Sequence, residues 1–98
     1  MLRSLGYALF LAPAFVLQAA AQTPAPLAGQ GCLGCHGSAG QGQGPVAALA
    51  GRDRGEIIAA MRAFAANERP ATIMNRIARG YTDAEIEAIA AWFAAQPR

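Results

Sequence analysis

Residues 31–37 of this protein read Gly-Cys-Leu-Gly-Cys-His-Gly. This stretch contains both cysteines of the 98-residue chain, Cys32 and Cys35, and its only histidine, His36. A chain of this length buries only a modest part of its surface, and usually needs a disulfide, a metal or a large bound group to complete its core. We therefore expect this stretch to hold the group that stabilises the fold.

The spacing Cys-x-x-Cys-His is the pattern of covalent attachment of haem c. The thiols of Cys32 and Cys35 lie one helical turn apart, and they would add across the two vinyl groups of the haem to form thioethers. The imidazole of His36 would then lie under the iron and bind it. The motif predicts one haem c, with all three residues binding the cofactor and His36 acting as a metal ligand.

Three other interpretations of the two cysteines are weaker. A structural zinc site needs four ligands, and the sequence contains no further cysteine or histidine. A thioredoxin-like redox pair follows a strand in a βαβ unit, and no such pattern occurs here. A disulfide between Cys32 and Cys35 would close a very small loop and contribute little to the core. Haem attachment therefore remains the interpretation that the spacing favours.

The N-terminal segment, residues 1–21, has the pattern of a cleaved signal peptide. One positive charge, Arg3, precedes a short apolar run, and three alanines stand directly before Gln22, as a signal peptidase requires. A membrane anchor is the alternative, but the run is shorter than the roughly 20 residues that span a bilayer, and Pro13 interrupts it. Cleavage would leave a mature domain of residues 22–98 in the periplasm, with no membrane span.

The mature segment carries almost no net charge. Without Arg3 it has seven arginines, six acidic residues and no lysine, and the two signs interleave between residues 52 and 79. A protein that binds nucleic acid usually shows a basic stripe, so we expect no nucleic acid as partner. Most of these side chains are expected on the solvated faces of helices.

The hydrophobic spacing in residues 22–98 predicts three main helices and no strand, which is an all-α class. The first helix is short, lies within residues 24–37 and ends at or near the haem motif; Pro26 suits its first turn and Leu27 is expected to face inward. Residues 37–51 are rich in glycine and are expected to form a loop that wraps around something. The second helix is expected to begin at Asp53, which can act as its cap.

The last helix has the clearest signals. Thr82 and Glu85 form a Thr-x-x-Glu capping box, and Tyr81 stands where a hydrophobic staple would pack on Ile86. A short turn of helix is expected over residues 73–80, immediately before it. These signals are local, so they predict the start of this helix without reference to the rest of the chain.

Methionine is the expected second axial ligand of the iron. The only histidine is already used, and methionine is the next candidate. Met1 leaves with the signal peptide, and Met61 lies on the apolar stripe of the second helix, where a methionine usually packs. Met74 follows the loop Glu-Arg-Pro-Ala-Thr-Ile, which can cross the far face of the haem. With His36 and Met74 both bound to the iron, no position remains for substrate or oxygen, so the protein would carry electrons without catalysis of its own.

The sequence resembles a class I cytochrome c, with its Cys-x-x-Cys-His motif, Gly-Pro loop, later methionine and aromatic C-terminal helix. The resemblance implies a small all-α fold of three to four short helices around one covalently bound haem c. It also implies that the first and last helices cross near Trp92 or Phe93. In the family a proline carbonyl accepts a hydrogen bond from the haem histidine, and Pro45 matches that proline, which makes it a cofactor-binding residue. The chain departs from the class in its first helix, which lacks the usual long amphipathic run and upstream glycine.

A closer resemblance is to the monohaem cytochrome subunits of flavocytochrome c sulfide dehydrogenases. It is carried by residues 61–96, which include the Arg-Pro-Ala-Thr lead-in to Met74 and the Gly-Tyr-Thr-Asp-x-Glu-Ile step. In that family the cytochrome accepts electrons from an FAD-containing flavoprotein that oxidises sulfide. The resemblance therefore implies a flavoprotein dehydrogenase subunit as partner.

Two other functions stay open. One is a free electron shuttle between respiratory or photosynthetic complexes, with another redox protein as partner. The other is a haem sensor or peroxidase-like enzyme with an open iron site. Near neutrality favours a stable interface over electrostatic docking, because steering relies on a dense charged patch. Four arginines are candidates for binding haem propionates or a partner, although a solvated position is as well supported for each: Arg62, Arg69, Arg76 and Arg79.

Overall fold

The computed structural model describes residue 6, residues 8–14 and residues 23–98. The expected cleavage site before Gln22 lies outside the described residues, as does most of the expected signal peptide. In the part of the chain that is described, no helix has the length and apolar character to cross a membrane.

Residues 23–98 contain six helical segments joined by loops, and this part of the chain has no strand. In chain order they are a 3₁₀ turn (Leu27–Gly29), α1 (Gln30–His36), α2 (Arg54–Ala65), α3 (Met74–Ile77), a second 3₁₀ turn (Ala78–Gly80) and α4 (Asp83–Ala94). The predicted all-α class is confirmed, and the expected turn of helix before α4 consists of α3 and the second 3₁₀ turn.

Both long helices begin where their capping signals predicted. The Asp53 side chain accepts a hydrogen bond from the backbone N–H of Glu56 over 3.0 Å at the start of α2. At the start of α4, the Thr82 hydroxyl accepts from the N–H of Glu85, and the Glu85 carboxylate accepts from the N–H of Thr82. Caps of this kind are worth about 1 kcal/mol each, because they satisfy donors that the helix leaves open.

The core consists of two clusters of buried side chains, both built on the packing of α2 against α4. The first cluster is Ile57, Ile89, Ala90 and Phe93, and the second is Met61, Ala78 and Ile86. Tyr81, expected as a staple on Ile86, packs against the cluster that contains it. Phe93 is the largest fully buried side chain of the described residues. Neither cluster alone is large, as expected for so short a chain.

The first turn crosses α4 with a glycine and not with the leucine that the sequence suggested. Leu27 is 85% exposed, so the expectation that it faces inward is wrong. Gly29 is buried instead, and a Cβ atom there would stand 3.5 Å from the Ile89 side chain. The 3₁₀ turn rotates Leu27 outward and lets the backbone approach α4 closely at Gly29. Beyond the crossing, the Trp92 indole N–H donates to the Thr23 carbonyl over 2.8 Å.

The glycine-rich loop, residues 37–51, is held in place by backbone hydrogen bonds. The carbonyl of Gly40 accepts from the N–H groups of Leu49 and Ala50, at 2.7 and 2.9 Å. The N–H of Gly51 donates to the carbonyl of Phe93 in α4 over 2.9 Å. The loop therefore folds back on itself and is tied to the last helix.

Glycine is required at position 40 for two reasons. Gly40 has a φ of +77°, and a Cβ atom there would lie 2.5 Å from the Phe93 ring. Gly44, in the same loop, also has a positive φ, of +53°, but a Cβ atom there would meet nothing within 4 Å. A side chain at position 44 would therefore introduce backbone strain alone, whereas a side chain at position 40 would introduce backbone strain and overpack the core.

We expect Gly40→Ala to destabilise the protein more than Gly44→Ala. The left-handed conformation costs about 1–2 kcal/mol in either variant, and the clash with Phe93 adds about 1–3 kcal/mol in the first. Chemical denaturation of the two purified variants and the unchanged protein measures the difference. Equal losses of unfolding free energy in both variants would contradict the close packing of Gly40 on Phe93.

Candidate functional site

A cavity of about 840 Å³ lies between α1, the glycine-rich loop, α2 and α3. Its volume lies within the range of cofactor pockets, roughly 300–1,000 Å³. Most of its wall is apolar and includes Val46, Leu49, Ile57, Phe64, Ile73, Ile77 and Ile89. All five residues that the sequence proposed for the site line this cavity: Cys32, Cys35, His36, Pro45 and Met74.

The two cysteines occupy successive turns of α1 and line the cavity as free thiols. Cys35 is exposed, whereas Cys32 is half-buried against the first core cluster. Burial raises the pKa of the Cys32 thiol, and a hydrogen bond donated by the Tyr81 hydroxyl opposes this shift. Burial also raises the pKa of Tyr81. The short helix therefore brings both sulfur atoms to one apolar cavity, where Cys32 lies beside Tyr81, two residues before the start of α4.

The orientation of His36 is fixed by one hydrogen bond. His36 is the last residue of α1, and its Nδ1 lies 2.6 Å from the carbonyl oxygen of Ala47 in the loop. A carbonyl can only accept, so in the neutral imidazole Nδ1 carries the hydrogen and Nε2 keeps its lone pair. A histidine held in this way is the usual arrangement for a metal ligand. Gly37 follows with a φ of +96°, and its N–H bonds back to Leu33, which ends the helix.

The expectation that Pro45 supplies this carbonyl is wrong, because the acceptor is Ala47. Gln43 and Val46 exchange two backbone hydrogen bonds, of 3.1 and 2.9 Å. This pairing places Pro45 at the exposed tip of a tight turn. The carbonyl that reaches the imidazole therefore comes from the chain as it leaves the turn, while Pro45 itself lines the cavity.

The two candidate methionines both line the cavity but differ in burial. Met61 is 7% exposed and belongs to the second core cluster. Met74 is the first residue of α3, is half-buried, and packs against that cluster from outside. Met61 therefore already has the packing role that its place on the stripe of α2 suggested, and Met74 is the less enclosed of the two sulfur atoms.

Polar residues at the cavity were only partly anticipated. Of the four arginines considered as candidates, only Arg69 lines the cavity, and its guanidinium lies 4.9 Å from the centre of the Phe64 ring. Arg62 instead makes an exposed pair with Asp83, at 3.5 Å. Sequence analysis missed Arg52, which lines the cavity too. Its signal was its position directly after the glycine-rich loop, which returns the chain to the site.

The residues of the cavity fit haem c. Two free thiols on adjacent turns would hold the macrocycle through thioethers, and the Nε2 atom of His36 is available for the iron. The apolar walls match a mostly apolar ring, and Arg52 and Arg69 provide cationic groups at a site that must also take the carboxylates of the haem.

Comparison with known proteins agrees with this geometry. The family described as cytochrome c oxidase, cbb3-type, subunit III matches residues 19–93. Cytochrome c-552 of Acidithiobacillus ferridurans is 44% identical over 61 residues, which are 62% of this chain and 26% of the relative. The cytochrome subunit of sulfide dehydrogenase of Chlorobaculum tepidum is 37% identical over 62 residues, 63% of this chain and 56% of the relative.

A solved structure gives the same result. Cytochrome c4 of Acidithiobacillus ferrooxidans is 42% identical, with a TM-score of 0.63, over 65% of this chain and 38% of the other. The chain thus spans between about a quarter and about half the length of these relatives. The family match, the motif and the fold agree, and the chain belongs to the cytochrome c family, as a class I cytochrome c with covalently bound haem c as its cofactor.

Proposed function

We propose that this protein transfers single electrons through a low-spin haem c whose iron is bound by His36 and Met74. The observation that carries the proposal is that one apolar cavity is lined by a histidine with a free Nε2 and by a methionine from a separate segment. Haem c supplies reversible one-electron exchange at its iron. Two protein ligands leave no coordination position for a substrate, so the proposal is electron transfer and not catalysis.

The residues around the cavity suit this role. The hydrogen bond from His36 to Ala47 fixes the imidazole and makes Nε2 a better donor. A thioether ligand such as Met74 favours the reduced iron compared with a second histidine, and so raises the reduction potential. Apolar side chains such as Ile57 and Phe64 exclude water from the site. Exclusion of water disfavours the ferric haem, which carries the greater charge, relative to the ferrous haem.

We expect Met74→Leu to abolish the far-red charge-transfer band of methionine-bound ferric haem, while Met61→Leu leaves it intact. Both changes keep the side-chain volume and remove one sulfur atom, so packing losses are similar and small, below about 1.5 kcal/mol. Visible and electron paramagnetic resonance spectra of the ferric proteins measure the outcome.

A different result would point to a different function. If the unchanged protein shows high-spin ferric haem and no band from methionine, the iron has an open position, as a haem sensor or a peroxidase-like enzyme requires. If Met61→Leu removes the band and Met74→Leu does not, the ligand is Met61, and the assignment of Met74 fails.

We further propose that the electron donor is an FAD-containing sulfide dehydrogenase and that this chain is its cytochrome subunit. One of the relatives carries that name. The cavity is also lined by two exposed apolar side chains, Ile73 at 58% and Ile77 at 37%. Haem in the cavity would cover part of this apolar surface, and a partner seated beside the haem would bury the remainder. This suits a lasting interface in a nearly neutral protein that lacks lysine.

We expect a flavoprotein to co-purify with the unchanged protein from its native periplasm, and Ile73→Asp to weaken this association at least about tenfold. An aspartate at this position would have to be desolvated in the interface, although it is a favourable cap for α3. Leu27→Asp is the matched control, because Leu27 is 85% exposed on the first turn, away from the cavity lining. Flavin and haem absorbance of the purified material measures the association.

A free electron shuttle between larger complexes is the second candidate function. Two of the relatives named above, cytochrome c-552 and cytochrome c4, carry names that mention no dehydrogenase. If the unchanged protein purifies from the native periplasm as a monomer without flavin, this second function is supported and the subunit role is wrong.

We also propose that residues 1–21 direct export and are removed. The support is the order of one cation, a short apolar run and three alanines. We expect the protein purified from the periplasm to begin at Gln22, as measured by N-terminal sequencing and by intact mass, with the mass of one haem added. A chain that begins at Met1 and remains with the membrane fraction would contradict cleavage.

A further inference from the structure

The chain contains only two asparagines, Asn67 and Asn75, and their side chains meet. Nδ2 of Asn75 donates to Oδ1 of Asn67 at 3.5 Å, across the start of α3 and the end of α2. Asn75 is the residue directly after Met74. We propose that Asn67 and Asn75 are positioning residues that hold Met74 on the iron, an inference that rests on the proposed ligation by Met74.

The backbone at Asn67 is suited to holding this position. Asn67 has a φ of +55° and is the non-glycine residue with positive φ in the described chain. Its N–H donates to the carbonyl of Phe64, and the N–H of Glu68 donates to the carbonyl of Ala63. These bonds end α2 and fix the direction in which the Asn67 side chain leaves the helix.

The segment that precedes Met74 has few contacts besides this one, although the Arg69 guanidinium within it lies 4.9 Å from the centre of the Phe64 ring. Residues 68–73 pack on neither core cluster, and four of them line the cavity that haem would occupy, so the protein core contributes little to their placement. Helix α3 has only four residues, Met74–Ile77, and a helix of this length is not stable by itself. The contact between the two asparagines joins the two ends of this exposed loop, and thereby limits the movement of α3 away from α2.

Asn75 also occupies its position at a cost. Its Oδ1 atom is buried and has no hydrogen-bond partner among the described residues. An acceptor left in this state destabilises a folded protein. A side chain that costs stability beside a proposed iron ligand indicates a role in function, because such departures from local rules concentrate at functional sites.

The role can be measured as competition for the iron. A competing ligand binds only when Met74 has left, so its apparent affinity rises with the fraction of molecules in the Met74-off state. Loss of the contact between Asn67 and Asn75 increases that fraction. When Asn75 is replaced by alanine, the stability of the fold need not fall, since the buried and unpaired oxygen of Asn75 is removed together with the contact.

The test titrates the ferric holoprotein with imidazole and follows the methionine–iron charge-transfer band. We expect Asn75→Ala and Asn67→Gly each to raise the imidazole affinity about two- to tenfold, as the loss of one weak hydrogen bond allows. Asn67→Gly is the cleaner variant, because glycine keeps the positive φ and only the side chain is lost. The imidazole affinity of the double variant should be close to that of either single variant, since both substitutions remove the same contact.

Thermal unfolding of the same proteins separates positioning from a structural role. We expect Asn75→Ala to unfold at the same or a higher temperature than the unchanged protein while it binds imidazole more tightly. Unchanged imidazole affinity in both variants, with the methionine band present in the unchanged protein, would overturn the inference and leave ligation by Met74 intact. Absence of the band from the unchanged protein would overturn ligation by Met74 itself, and the inference with it.

Discussion

The hydrogen bond between His36 and the carbonyl of Ala47 determines how the chain is arranged around the site. It connects the end of α1 to a loop eleven residues further along the chain, so the loop must return to the helix in one defined path. The left-handed backbone at Gly40 allows that return, and the bond from Gly51 to Phe93 continues it to α4. The imidazole is thus fixed by a series of hydrogen bonds that connects α1, through the glycine-rich loop, to α4.

The elements that sequence analysis predicted correctly are those whose signals are local. The capping residues Asp53 and Thr82 act within one helical turn, and they mark the starts of α2 and α4 correctly. The prediction that Leu27 faces inward was wrong, because the direction of this side chain depends on how closely the first turn approaches Ile89. The residue that makes this close approach is Gly29. A leucine beside a glycine in sequence does not reveal which of the two will face the core when the neighbouring helix lies that near.

The candidate site shows the same division. Cys32, Cys35 and His36 are recognisable because their chemistry needs one spacing along a single helix, and α1 presents them together. The acceptor for the imidazole was misplaced by two residues, since the turn between Gln43 and Val46 decides which carbonyl comes back. The contributions of Arg52 and Tyr81 depend on the same kind of long-range return, and no spacing in the sequence encodes it.

The two core clusters support different parts of the cavity lining. The cluster around Phe93 packs against Cys32 and the loop residue Leu49, whereas the cluster around Met61 packs against Met74. Ile58 and Tyr81 contact both clusters, and so connect the histidine part of the site with the methionine part. This connection suits the proposed transfer of single electrons, because a site that changes little in shape between oxidation states needs little rearrangement at each transfer. The loop before Met74 lies outside both clusters, so the proposed placement of Met74 on the iron draws on the contact between the two asparagines as well as on the packing of Met74 against the second cluster.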